Sequence, residues 1–174
     1  MIQGSNIYLR LMEIEDVPYK VKWINDNDVR QTLNFDYPIS KVATETWLRK
    51  VAANPDRKDF IACLKANDTP VGYAGLLNID IKHHKAESYI GIGAKEFWGT
   101  GLGFDLKKTL LLYAFDHLRL NKVYSYHLID NKPMININFK LGGQQEGVQR
   151  EDVMHNGNFK DRVLMSVLKS EFIR

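Results

Sequence analysis

The chain has 174 residues and a mass of 20.1 kDa, the size of one globular domain. Its 24 Lys and Arg residues nearly balance 21 Asp and Glu residues, so the net charge is +3 and no basic block marks a nucleic-acid-binding surface. One cysteine, Cys63, excludes an internal disulfide, and no apolar run approaches the ~20 residues of a membrane span. We therefore expect a cytoplasmic protein with neither a nucleic-acid nor a membrane partner.

The first third of the chain predicts one strand followed by helices. Residues 7–11 alternate like a strand, and residues 13–25 place apolar side chains at helical spacing. Ser40 is typical of an N-cap, which predicts a further helix to about residue 53.

The middle of the chain predicts an antiparallel meander. Its strands cover residues 60–64, 71–81 and 86–92, and polar turns at 67–70 and 82–85 separate them. A glycine cluster at residues 99–103 then opens a helix that runs to about residue 118.

The last third predicts a strand at 122–128, a short helix at 134–141 and two strands at 146–153 and 162–168. We therefore expect one mixed α/β domain over residues 1–174. The first half of its sheet is antiparallel, and one strand–helix–strand crossover follows.

The glycine cluster is the most informative motif. Alternate glycines between a strand and a helix let the backbone approach a ligand at a positive helix end, which favours phosphate binding, although an ordinary tight turn has the same composition. The dinucleotide fingerprint fails, because the third glycine comes one place early and Asn121 and Lys122 stand where an acidic residue is needed. The Walker pattern is absent.

The loop does resemble the pyrophosphate loop of acetyl-CoA-dependent acetyltransferases, Q/R-x-x-G-x-G/A, except that Trp98 replaces Gln or Arg. The strand at residues 86–92 before it and Asn131, Lys140-Leu141-Gly142 and Glu146-Gly147 after it are also similar. The whole chain resembles the GNAT superfamily, in the branch of ribosomal-protein N-terminal, spermidine and amino-sugar acetyltransferases.

The resemblance implies a mixed, mostly antiparallel twisted sheet flanked by helices, with acetyl-CoA as co-substrate and no metal. A strand backbone N–H within residues 89–92 would meet the oxyanion. The cofactor-binding residues it implies are Tyr89, Ile90, Gly91, Ile92, Trp98, Gly99, Thr100, Gly101, Leu102, Gly103, Asn131 and Asn138.

The acid–base chemistry is less defined. Glu87 is the candidate base, acting through water, although a solvated strand end or an ion pair would also account for it. Asn138 stands where many relatives carry a tyrosine that protonates the departing sulfur, so the general acid is open; a thiol of pKa about 8.5 also leaves readily as thiolate. His83 and His84 lie in a Lys-flanked turn and have no metal-ligand spacing.

In this fold the acceptor groove is bordered by residues 25–40 and 149–160. Asp26, Asp28 and Asp36 suit a cationic or sugar amine, or serve as caps. We assign Asp36, Tyr37 and Ser88 to substrate binding and expect a small primary amine, either an amino sugar or a polyamine. A protein N-terminus is the alternative, and a non-catalytic acyl-CoA-binding domain is the other. A homodimer is compatible with the resemblance.

Overall fold

The strands of the computed structural model, which describes residues 1–33 and 37–174, are β1 (Ile2–Gln3), β2 (Ile7–Leu11), β3 (Lys58–Leu64), β4 (Pro70–Asp80), β5 (Lys85–Ile92), β6 (Lys122–Leu128), β7 (Gln144–His155) and β8 (Asn158–Leu168). The helices in these residues are α1 (Val17–Asn25), α2 (Asn27–Arg30), α3 (Lys41–Val51), α4 (Leu102–Leu112) and α5 (Lys132–Lys140). A π-helical turn over Tyr113–His117 continues α4, so the predicted helix to residue 118 has two parts.

These strands form one sheet in the order β1-β2-β3-β4-β5-β6-β8-β7. Every neighbouring pair is antiparallel except β5 and β6, which are parallel and joined through α4. The predicted α/β class with a mostly antiparallel sheet is confirmed, and the predicted crossover is β5–α4–β6.

The parallel pair is short. β5 and β6 pair only at Lys85↔Lys122, Ala86↔Val123 and Glu87↔Tyr124. Beyond that point β5 stays paired with β4 as far as Ile92, while β6 stays paired with β8 as far as Leu128. We call the opening between residues 88–92 of β5 and 125–128 of β6 the wedge.

Apolar side chains cover both faces of the sheet. On one face, Leu106, Leu110 and Phe115 of α4 and its continuation pack in a cluster that includes Ala86 and Val123. A second cluster joins the aromatic side chains of α1 and the central strands to α3, and it includes Cys63, which is fully buried as a small apolar residue.

A buried carboxylate fixes α4 against the start of β2. Asp105, which is 7% exposed, accepts the backbone N–H groups of Ser5 (2.8 Å), Asn6 (2.6 Å) and Ile7 (3.3 Å). These contacts join residues about a hundred positions apart along the chain, so they set the height of α4 over the sheet.

The sequence predicted the start of α3 correctly and the start of α1 less precisely. Ser40 caps α3, because its hydroxyl oxygen accepts the N–H of Ala43 at 3.1 Å. The predicted helix at residues 13–25 instead begins as a 3₁₀ turn over Ile14–Asp16, where the Asp16 carboxylate binds the Arg10 guanidinium through two contacts of 2.6 Å.

Candidate active site

The glycine loop meets the steric requirement of a phosphate site. Gly99 (φ +76°) and Gly101 (φ +89°) are left-handed, a conformation that side chains rarely adopt, and a Cβ on either would meet nothing within 4 Å. Gly101 is the N-cap of α4 and offers no side-chain cap. The open space therefore lies at the end of a helix whose first N–H groups and dipole favour an anion.

The other residues of the loop hold it against β5. Trp98 is 42% exposed and its Nε1 donates to the Ile92 carbonyl oxygen at 2.8 Å, while the Thr100 hydroxyl donates to the Phe97 carbonyl at 2.7 Å. A Cβ on Gly103 would lie 3.3 Å from the Ile137 side chain of α5. The loop, the end of β5 and α5 thus meet in one place.

Among the described strands, none pairs with the edge of β5 next to the loop. Tyr89, Ile90, Gly91 and Ile92 pair with residues 72–75 of β4, but their other edge faces the wedge. Alternate residues of a strand direct N–H and C=O to the same side, so part of this stretch offers backbone groups to a ligand in the wedge.

A buried lysine lies where β5 and β6 separate. Lys107 of α4 is 1% exposed, and its Nζ donates to the Ser88 hydroxyl at 2.6 Å. Ser88, 3% exposed, donates in turn to the Tyr124 carbonyl oxygen of β6 at 3.1 Å. Burial lowers the pKa of Lys107 to about 7. Ser88 lies here, and it is not among the residues that line the cavity between Gln31 and the β7–β8 hairpin.

Sequence reasoning missed Lys107, although a signal was present. Lys107 lies three, four and seven residues before Leu110, Leu111 and Ala114, which are all fully buried. This is the spacing of one helix face, so a charged residue stands on the apolar stripe of α4.

Three polar side chains line the same region from β6 and α5. The Ser125 hydroxyl lies 2.8 Å from His127 Nε2, and the Asn138 amide nitrogen lies 3.1 Å from it. The Asn138 amide also donates to the Met134 carbonyl at 2.9 Å. Burial, together with the charge of Lys107, lowers the pKa of His127 to about 3, so this imidazole is neutral.

Asn131 caps α5, because its Oδ1 accepts the Met134 N–H at 3.4 Å. This structural role is compatible with the contact to the cofactor that the resemblance implies for Asn131.

The opposite face of β5 carries Glu87 and Tyr89. Glu87 is half-buried and accepts a hydrogen bond from the Asn78 amide at 3.1 Å. The Tyr89 hydroxyl donates to the Asp59 carboxylate, which the Arg57 guanidinium also binds at 2.6 and 2.9 Å. Burial and the Asp59 charge raise the pKa of Tyr89 well above its usual value, so its phenol stays protonated.

A second buried lysine belongs to this face. Lys20 of α1 is 4% exposed, and its Nζ lies 4.0 Å from the centre of the Trp47 ring and 5.4 Å from that of Tyr73. Burial lowers its pKa to about 8, although the charge of Asp59 opposes this shift. Aromatic faces and a nearby carboxylate therefore surround this cation.

The two segments predicted to border the acceptor groove do meet. A cavity of about 400 Å³ is lined by Gln31 and Thr32 from the first, by residues of the β7–β8 hairpin, and by Asn131. His155 Nε2 lies 3.1 Å from the Gln31 carbonyl oxygen, and the Asn156 amide donates to Gln31 Oε1 at 2.8 Å. A larger cavity, about 620 Å³, opens beside Arg57 and Asn78, but the loop and Asn131 do not line it.

Most acidic groups near the groove already have partners. Lys95 binds Asp26 at 2.9 Å and Asp28 at 2.6 Å, and Asp26 also caps α2. Asp130 binds Lys160 at 2.8 Å. The cap interpretation therefore fits Asp26 better than a role as a free carboxylate for a cationic substrate.

The other two residues predicted to bind substrate are Tyr37 and Asp36. Tyr37 is 48% exposed, and the Arg30 guanidinium lies 4.3 Å from the centre of its ring. Asp36 lies outside the described residues. Within residues 1–33 and 37–174, no cluster of three potential metal-ligating side chains occurs, and His83 and His84 are exposed. In the same residues, no helix has the length and apolar character to cross a membrane.

The sequence resemblance to acyl-CoA-dependent acetyltransferases predicted a glycine loop that opens a helix directly after a sheet strand, and α4 does begin after Gly101, following β5. The acetyltransferase (GNAT) domain pattern matches residues 6–144, and the chain belongs to this family. It is therefore an N-acetyltransferase that uses acetyl-CoA as co-substrate.

Relatives and solved structures agree with this assignment. The chain is 26% identical to the spermidine N(1)-acetyltransferase of Vibrio cholerae, over 98% of this chain and 97% of that protein. It is 28% identical to the putative ribosomal N-acetyltransferase YdaF of Bacillus subtilis, over 97% and 94%. The crystal structure of the Vibrio cholerae spermidine N-acetyltransferase with CoA and spermine matches 98% of this chain and 100% of that chain, with a TM-score of 0.90 and 25% identity.

Proposed function

We propose that the protein transfers an acetyl group from acetyl-CoA to the primary amine of a small molecule, an amino sugar or a polyamine, by direct attack of the amine on the thioester. One observation carries this proposal. The groove between residues 31–32 and the β7–β8 hairpin reaches Asn131, at the start of the helix that packs against the glycine loop. An acceptor in the groove would therefore approach a cofactor held by the loop.

We assign the phosphate contacts to the backbone of residues 99–103 and the first turn of α4, because the left-handed glycines leave that space open. The bound cofactor supplies an activated acetyl thioester. Backbone N–H groups of residues 89–92 that face the wedge suit the oxyanion that forms on the acetyl group.

Glu87 is the proposed base. It is half-buried, and its one hydrogen bond from Asn78 leaves carboxylate lone pairs free to accept a proton from the incoming ammonium through water. This step is needed because a free alkylamine, with a pKa of about 10.4, arrives protonated at neutral pH.

Both small-molecule classes have support. The Vibrio cholerae relative acts on spermidine, which supports a polyamine. The groove itself is lined by Gln31, Thr32, Asn131, Asn156 and Asn158, and its Asp130 is paired with Lys160. Amides and a hydroxyl suit a polyhydroxylated amino sugar, which needs directional hydrogen bonds more than free carboxylates.

A thiol-release assay tests the proposal. Purified protein with acetyl-CoA should release free CoA in the presence of spermidine or a nucleotide-linked amino sugar, and no faster than background with short peptides. Faster release with peptides would replace the small-amine proposal with the alternative, a protein N-terminal acetyltransferase. If none of the amines causes release of free CoA while CoA still binds, only the non-catalytic acyl-CoA-binding domain remains.

The remaining expectations stay predictions. One acetyltransferase domain over residues 1–174 predicts a single cooperative unfolding transition by heat or urea. A homodimer predicts about twice the chain mass by light scattering. A cytoplasmic location predicts recovery of the protein in the cytosolic fraction when cells are lysed and fractionated.

A further inference from the structure

Lys107 occupies the vertex of the wedge. Glu87↔Tyr124 is the last paired position between β5 and β6, and Ser88 is the next residue along β5. The Ser88 hydroxyl bridges the two strands there by donating to the Tyr124 carbonyl oxygen at 3.1 Å. Because Lys107 Nζ donates to that same hydroxyl at 2.6 Å, its charge is held at the point where the strands part.

This charge has no opposite charge beside it in the described part of the chain. Within residues 1–33 and 37–174, the one side-chain hydrogen bond of Lys107 Nζ is to a neutral hydroxyl, and no carboxylate forms an ion pair with it. A buried unpaired cation is costly, and an apolar side chain of similar volume would serve packing better. An anion in the wedge would remove that cost.

The other groups around the vertex cannot supply positive charge. His127, Ser125 and Asn138 face it from β6 and α5, and the low pKa of His127, about 3, keeps its ring neutral. Asn138 has no hydroxyl proton to give, and its amide nitrogen is used on His127 and Met134. Glu87 and Tyr89 lie on the other face of β5, where Tyr89 binds Asp59.

We propose that the Lys107 ammonium, held by Ser88 at the vertex of the wedge, stabilises the CoA thiolate that leaves when the acetyl group is transferred. The amine nitrogen forms a bond to the acetyl carbon, the carbon–sulfur bond breaks, and its electron pair stays on sulfur as the negative charge that faces Lys107. The incoming ammonium first gives one proton through water to Glu87, which passes it to the solvent, and the second proton, lost by the nitrogen as the amide forms, goes to Glu87 by the same route. The inference rests on the proposed placement of the thioester in the wedge, and it does not depend on which amine accepts the acetyl group.

The test is a titration of the CoA thiol in the complex, which needs no turnover. CoA is bound to the wild type, to Lys107→Met and to Lys108→Met, and thiolate is followed by its ultraviolet absorbance as pH rises. The same complexes with desulfo-CoA provide the baseline. Lys108 is the matched control, because it is the next residue of α4 and is half-buried rather than buried.

In the wild type and in Lys108→Met, we expect a thiol pKa at least about one unit below that in Lys107→Met, or about tenfold in the acid dissociation constant. Ser88→Ala should lie between them, because it frees the ammonium from the vertex without removing its charge. Equal thiol titration in the wild type and in Lys107→Met, with CoA bound to both, would overturn the role of Lys107 alone. If CoA fails to bind the wild type, the proposed cofactor site is overturned with it.

Discussion

Each face of β5 has a buried lysine near it, and the two lysines differ in the groups that surround their charge. On the face that carries Glu87 and Tyr89, Lys20 lies beside the rings of Trp47 and Tyr73, and Asp59 is close enough to oppose the fall of its pKa. On the α4 side, Lys107 donates to one hydroxyl, and no carboxylate among the residues that the structure describes pairs with it. The first cation is partly compensated by the protein, although the charge of Arg57 adds to the fall of its pKa. The second is not compensated, which is the arrangement expected of a group whose partner is a substrate.

The largest effect is expected from a variant that prevents cofactor binding and leaves both lysines in place. Gly101→Val forces a branched side chain into a left-handed backbone (φ +89°) and into the open space before α4. We expect CoA affinity to fall at least about 1000-fold, or about 4 kcal/mol, by isothermal titration calorimetry. Gly147→Ala is the control, because its Cβ meets nothing within 4 Å and its backbone is not left-handed. Retained affinity in Gly101→Val would mean that the loop does not hold the pyrophosphate.

The next largest effect is expected from removing the buried carboxylate on the Glu87 and Tyr89 face of β5. Asp59→Ala leaves Arg57 without its carboxylate and the Tyr89 hydroxyl without its acceptor. We expect the free energy of unfolding to fall by about 3 kcal/mol in urea, with CoA affinity unchanged. Asp116→Ala removes an exposed pair with Arg174 and should leave the unfolding curve close to that of the wild type. A comparable loss of unfolding free energy in both variants would show that the buried contacts of Asp59 stabilise the fold no more than an exposed ion pair does.

Glu87→Gln tests whether Glu87 is a catalytic base rather than a structural residue of its face. Turnover should fall about 100-fold at neutral pH and much less near pH 10, where the amine loses its proton without help. The measurement is the pH–rate profile with the best acceptor, with Glu171→Gln as the control. A profile that keeps its shape would contradict the assignment of Glu87.

The smallest effect separates the two lysines by the pH dependence of stability. Below pH about 7, Lys107 is charged in the folded and unfolded states, so the penalty of burying its charge is fully present. As pH rises above that value, the folded protein loses a proton that the unfolded chain keeps until about pH 10.4, so the free energy of unfolding rises by up to about 1.4 kcal/mol per unit.

Lys20 has the same sign but begins near pH 8. Urea unfolding of Lys107→Met should therefore lack the rise between about pH 7 and 8 and keep the later one. Lys20→Met should keep the rise that begins near pH 7 and continues to about pH 10.4, but with a smaller slope above pH 8 than in the wild type. Identical curves for the two variants would remove the distinction between the two cations.

Much of the fold could be predicted from the sequence because its signals are local. Alternation located β2, a short apolar run before a turn located β3, Ser40 marked the start of α3, and the glycines at 99, 101 and 103 marked the start of α4. The loop motif together with Asn131 was sufficient to suggest the family that the GNAT domain match establishes.

The vertex of the wedge could not be predicted, because it depends on contacts between distant elements. Nothing in the local sequence says that β5 and β6 stop pairing after Glu87, or that Asp105 ties α4 to the start of β2. The alternation of β5 does put Ser88 on the face opposite Glu87, but only the tertiary structure brings Lys107 to it. The acid at Asp26, read as a candidate for substrate binding, is a helix cap whose role depends on Lys95, 69 positions away (95 − 26).

A crystal structure of the protein with CoA tests the account most directly. We expect the pyrophosphate within hydrogen-bond distance of the first N–H groups of α4, and the sulfur in the wedge beside Ser88 and Lys107. A thiol on the Glu87 and Tyr89 face of β5, away from Lys107, would contradict the account.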